Sequence, residues 1–132
     1  MSNAFYDSVA QVLEVDEVGF DTEFRKAPGW CSLQAFGLLV LMENDWKAPM
    51  DLARLRGMRT VGDLYGEAFA AFAASLLGVP RAALSPDAAY GSVPEWDSVN
   101  HLRLVMEAEK RFGVHYPLET IPGLRTLRDF LV

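Results

Sequence analysis

One cysteine, Cys31, stands in a chain of 132 residues, so no internal disulfide can close and no multi-cysteine metal site can form. Basic side chains are scarce as well. Lys and Arg number 12 against 18 Asp and Glu, a formal charge of −6. That balance argues against a nucleic-acid footprint, and any partner steered by charge is expected to be basic. Long apolar runs are missing too. The longest, Ala35 to Met42, is too short to cross a bilayer, and no basic-then-apolar leader opens the chain, so the expected location is cytoplasmic with no membrane partner. The two histidines, His101 and His115, form no metal-spaced cluster with a cysteine and are expected at the surface or in loops. No stretch alternates apolar and polar residues convincingly, which excludes a sheet-based core and leaves an all-α fold.

What the chain does contain is a repeat. With 51% apolar residues it is globular, long enough for one ordinary domain or two very small ones. Shifting the sequence by 66 residues lays Trp30 on Trp96, Ser32 on Ser98, Leu38 on Leu104, Glu43 on Glu109 and Leu52 on Leu118. The same shift lays "GMRTVGDL" (57–64) on "GLRTLRDF" (123–130). Nearer each start a shift of 64 pairs Phe5 with Phe69, Leu13 with Leu77 and Val15 with Val79, which places two extra residues in the second copy's first long loop. The units span 1–66 and 67–132.

Each unit reads as the same succession of elements. Phe5, Val9, Val12 and Leu13 recur at helical spacing over 4–14, as do Phe69, Phe72, Leu76 and Leu77 in the second copy. A long loop rich in Gly, Pro and Asp follows, then a helix beginning near Ser32 or Ser98. The expected core face of that helix is Leu33, Phe36, Leu39, Val40 and Trp46 in the first unit and Val99, Leu102, Val105, Met106 and Phe112 in the second. A short helical turn lies at Leu52–Leu55 or Leu118–Ile121, and Thr60 or Thr126 caps a final helix. Between Thr60 and Leu77 there is no proline. The last helix of the first unit either runs straight into the first helix of the second or breaks near Gly66, because Gly62 and Gly66 each cost about 1 kcal/mol in a helix interior.

A four-helix unit of this size, with a long first loop, "WDSV" (96–99) opening its second helix and "TVGD" or "TLRD" opening its last, resembles the acyl carrier protein family. The resemblance implies two tandem four-helix bundles and a 4'-phosphopantetheine arm on Ser98, moved there from coenzyme A by a phosphopantetheinyl transferase. At Ser32 it leaves two alternatives, a second arm or a degenerate unit retained for packing, because Cys31 stands where the family has an acid. Asp97 would help the transferase recognise the site, and Val99 would anchor the helix start and contribute to that recognition. The arm's thiol would carry acyl or aminoacyl groups as thioesters in a fatty-acid, polyketide or peptide-type pathway, in contact with acyl-loading and acyl-processing enzymes, while the chain itself catalyses nothing. Arg103, Lys110 and Arg111 give the second unit's helix a mixed face where many carriers are more acidic; an i,i+4 pair of Glu107 with Arg111 is expected there.

Plainer explanations exist for the same residues. Asp and Ser at a helix start are ordinary caps worth about 1 kcal/mol. Cys31 beside a helix N-terminus could be a reactive thiol, but no His or Asn can be assigned to it, and it reads as a small residue. The helix over 33–42, "LQAFGLLVLM", is apolar on nearly every side, so Leu38, Leu41 and Cys31 are expected to pack against the other unit or a second chain. The alternative to a loaded carrier is accordingly a non-loaded interaction scaffold, built of carrier-like repeats, that binds a partner through this apolar helix. Trp30 and Trp96 are expected to pack loop against bundle.

Overall fold

The first helix begins where a side chain can take up its loose amides. A computed structural model of the chain describes residues 3–132. In it the Asn3 side-chain oxygen accepts from the amides of Phe5 and Tyr6, opening α1 (Ala4–Leu13). Helix α1 ends on Glu14 in the left-handed conformation, whose N–H turns back to the carbonyls of Ala10 and Gln11. Four more α-helices follow: α2 (Ser32–Asn44), α3 (Leu52–Arg56), α4 (Val61–Leu77) and α5 (Ser98–Phe112). Short 3-10 turns lie at Phe24–Lys26, Arg81–Ala83, Leu118–Gly123 and Leu127–Phe130.

The repeat recurs at two of the helix ends and at both capping boxes. Gly78 ends α4 as Glu14 ends α1, left-handed and bonded back to Ala74 and Ser75. Thr60 and Asp63 form a reciprocal capping box at the start of α4, and Thr126 and Asp129 form another at Leu127–Phe130. Just outside these boxes the chain pairs briefly with the preceding loop, Glu23 with Thr60 and Ala89 with Thr126. In these boxes both carboxyls lie below the ordinary range. For Asp63 partial burial acts upward and is outweighed by the amides of Arg59 and Thr60, the Thr60 hydroxyl and the Arg128 charge; for Asp129 the Thr126 amide is the main cause.

Helix α4 runs unbroken from Val61 to Leu77, which resolves the junction in favour of one helix shared by both units. Its two suspect glycines differ in their surroundings. A Cβ on Gly62 would lie 2.7 Å from the Phe20 carbonyl oxygen, whereas one on Gly66 would meet Pro86 at 3.4 Å. Gly62 is there for a close approach, since its amide donates to that same Phe20 oxygen at 2.7 Å.

The all-α class follows from the sequence; the division into separate bundles does not. Helix α1 packs on α2, α4 and α5, and one buried cluster runs through both halves, from Phe5 through Tyr65 and Phe69 to Phe130. Phe112 lies near its centre, stacked on Trp46 at 5.1 Å and on Phe69 at 5.3 Å. The N- and C-terminal segments are joined through Asn3, whose amide donates to the Tyr65 hydroxyl and the Val132 carbonyl.

The expected core face of the second helices needs correction. Trp46, Val105 and Phe112 are buried, but Leu33 is 73% and Val99 67% exposed, and Phe36, Val40, Leu102 and Met106 are exposed with them. The core is made instead by Leu38, Leu41 and Met42 on α2 and by Leu104, Val105, Ala108 and Phe112 on α5. The apolar arc of each helix is wider than the arc that is covered, so spacing alone chose the wrong edge. Leu38 and Leu41 are buried as expected, although α2 packs chiefly on α1 and α3, and Cys31 remains exposed. The expected Glu107–Arg111 pair is replaced. Lys110 reaches Glu107 at 3.5 Å, while Arg111 lies over the Trp46 ring and donates to the Asp45 carbonyl.

The glycine geometry predicts opposite effects on stability. Gly62→Ala should destabilise the protein by about 1–3 kcal/mol through overpacking, and Gly66→Ala should stabilise it by up to about 1 kcal/mol. Urea denaturation of the two variants beside the parent checks both signs.

Candidate functional site

Helix α5 starts at Ser98 because Asp97, in extended conformation, caps it. The Asp97 carboxylate accepts from the Asn100 amide at 2.9 Å and its carbonyl accepts from the His101 amide at 2.8 Å. The Asn100 side chain donates in turn to the Glu95 carbonyl at 2.7 Å, which fixes the entering loop. Ser98 is the first helical residue and is exposed. Among the described residues the amides of Ser98 and Val99 have no protein acceptor, so this end of the helix presents free N–H groups and the positive pole of its dipole to an anion placed on the hydroxyl. Val99, 67% exposed, does not anchor the helix start in the core; it stands beside the serine at the surface.

Beneath the serine, Trp96 is buried, and its indole N–H donates to Nδ1 of His101 at 3.0 Å. Neutral His101 therefore carries its own proton on Nε2. The imidazole is packed edge-on against Tyr90 and Phe130, with ring centroids 5.2 and 5.7 Å away. This corrects the expectation of a loop or surface histidine. His101 is half-buried, and it joins Ser98 and Leu102 as one wall of a cavity of about 650 Å³. The facing wall is Ile121, Pro122 and Leu124, and Ala89, Tyr90 and Arg125 complete it. Most of this lining is apolar. A hydroxyl at a helix start, opening beside an apolar cavity of that size, can hold a covalently attached group outside and shelter an apolar portion of it inside.

The counterpart at Ser32 is built differently. Ser32 is likewise exposed at the first position of its helix. The preceding Cys31 makes no capping bond; its thiol donates to the Gln34 side-chain oxygen at 2.8 Å. Trp30 is half-buried against Phe24, 5.6 Å between centroids. His115 is exposed and pairs with Glu109 at 3.0 Å, away from both serines. Of the consecutive residues 96–98, Trp96 is buried while Asp97 and Ser98 are exposed. His101, Leu102 and Ile121 were missed as members of the site. The available signal was the five-residue spacing of Trp96 and His101 across the start of α5, where the indole N–H meets a ring nitrogen.

No protein-family model, curated protein or solved structure matches the chain, and no described helix is long and apolar enough to cross a membrane.

The two helix starts predict complementary stability effects. Asp97→Ala should cost about 1 kcal/mol by removing a cap, and Cys31→Asp should gain a comparable amount by supplying one. Denaturant midpoints of the two variants are the measurement.

Proposed function

We propose that the chain is a carrier protein, built of two carrier-like repeats that share α4, and that Ser98 receives a 4'-phosphopantetheine arm from coenzyme A through a phosphopantetheinyl transferase. The observation that carries this reading is the exposed Ser98 hydroxyl at the start of α5, capped by Asp97 and opening beside the 650 Å³ apolar cavity. The residues suit the group. The phosphodiester would lie at the free amides of Ser98 and Val99, and the cavity wall of His101, Leu102, Ile121 and Leu124 would shelter an acyl chain. When bound, the arm supplies a terminal thiol that holds an acyl or aminoacyl group as a thioester for fatty-acid, polyketide or peptide-type chemistry. Asp97 and Val99, both exposed, are available to a transferase, and Leu102 and Met106 continue that apolar edge toward acyl-loading and acyl-processing enzymes. At Ser32 the hydroxyl is present without the acid, which favours Ser98 as the site of loading.

One observation favours a second reading, the non-loaded scaffold. The exposed apolar side chains Leu33, Phe36 and Val40 on α2 recur as Val99, Leu102 and Met106 on α5, so the chain offers the same apolar edge twice whether or not an arm is attached.

Intact-mass measurement separates the two. After incubation with coenzyme A, magnesium and a broad-specificity transferase, the parent protein should gain one arm, Ser98→Ala none, and Ser32→Ala one. No gain in the parent would overturn the carrier reading in favour of the scaffold, and two gains would add Ser32 as a second site.

A further inference from the structure

Position 25 of the first repeat corresponds to position 91 of the second, and the two residues are opposites. Gly91 lies in the left-handed region at φ +79°, a conformation that suits glycine, and offers no side chain. Arg25 lies in the 3-10 turn Phe24–Lys26 and reaches across to the end of α3. One guanidinium nitrogen donates to the Leu55 carbonyl at 2.6 Å and the other to the Met58 carbonyl, while the guanidinium carbon sits 4.8 Å from the centre of the Phe24 ring. The Leu55 carbonyl also accepts from the Met58 amide at 3.0 Å, and a forked cation is suited to hold two carbonyls at once.

The residues joined in this way are the counterparts of the second cavity's walls. Leu55 and Met58 correspond to Ile121 and Leu124, and Phe24 corresponds to Tyr90. In the second repeat nothing crosses from loop to wall at position 91, Tyr90 is 46% exposed, and the cavity beside Ser98 is open. In the first repeat the Phe24 ring is fully buried beneath the guanidinium. We infer that Arg25 is a strap that holds shut the first repeat's counterpart of the Ser98 cavity, and that it thereby confines an apolar cargo to the second repeat. The acyl nature of that cargo rests on the carrier reading; the strap does not.

The exposed thiol of Cys31, one residue before Ser32, gives a test that needs no transferase. Decyl methanethiosulfonate couples a ten-carbon chain to it: the thiolate sulfur forms a disulfide with the decylthio group, and methanesulfinate leaves. In a Cys31→Ser/Asp97→Cys protein the same reagent places the chain before Ser98. Backbone amide resonances are compared with and without the alkyl chain in each protein. The chain before Ser98 should shift Ile121 and Leu124. At Cys31 of the parent it should leave Leu55 and Met58 unmoved, and in Arg25→Ala it should shift both. Shifts at Leu55 and Met58 that are equal in the parent and in Arg25→Ala, or absent in both, overturn the strap, as does an unmoved Ile121 and Leu124. Failure of Ser98 to gain an arm leaves every one of these readouts intact, so the two proposals fail separately.

Discussion

Helix α4 belongs to both repeats, and a helix with two sets of neighbours has to be buried on two sides at once. Val61, Leu64, Tyr65, Ala68, Phe69 and Ala73 are all inaccessible to solvent, as expected of a helix that is apolar around most of its circumference. Its one buried charge shows how strict the constraint is. Glu67 is 5% exposed and is met by Arg54 at 2.9 Å and Arg81 at 2.8 Å. Arg54 comes from α3 in the first repeat, and Arg81 from the 3-10 turn after α4 in the second. A buried carboxylate is tolerated when it is paired; Arg54 hydrogen-bonds it from the first repeat, and Arg81 adds a second positive charge from the other side.

The contact between repeats has a particular symmetry. Trp46 and Phe112 are counterparts under the 66-residue shift, and they stack on each other with planes 3° apart. Asp45 and Arg111 are also counterparts, and they are joined by a hydrogen bond. Contact between like positions marks an isologous, two-fold arrangement, because a head-to-tail relation would bring unlike positions together. The C-terminal ends of α2 and α5 therefore meet, and the serines lie at the opposite ends. At 1.5 Å per residue, each hydroxyl stands roughly 20 Å from the contact. The two helix starts are far enough from the shared core to differ chemically without disturbing it.

Helix starts were legible in the sequence because caps are local, but the final helix expected after Thr126 is only the 3-10 turn Leu127–Phe130. Thr60 at the start of α4 and Asp97 at the start of α5 are each set by a few neighbouring residues. The uncovered arcs of α2 and α5 were not legible, since Leu33, Phe36 and Val40 carry the same apolar signature as Leu38 and Met42 and only the arrangement of α1, α3 and α4 decides which are covered. The cavity escaped for a related reason. Its walls come from residues 89–90, 98–102 and 121–125, and the loop that leaves it open does so through the backbone of Gly91, which no apolar pattern records.

The aromatic side chains of the first repeat are held by contacts that reach the second repeat and the shared helix. Trp46 must remain because Phe112 stacks on it, and Phe5 must remain because Tyr65, on the shared helix, stacks on it at 5.0 Å; such aromatic contacts are each worth about 0.5–1.5 kcal/mol beyond the area they bury. Cys31 and Arg25 are exposed, so replacing them leaves those aromatic contacts in place; what changes is a helix cap at the first and a pair of hydrogen bonds to carbonyls at the second. The second repeat thus requires the first repeat's core but not its helix start or its loop. The first repeat can therefore differ from the second at its helix start and in its loop, Cys31 against Asp97 and Arg25 against Gly91, without loosening the core they share.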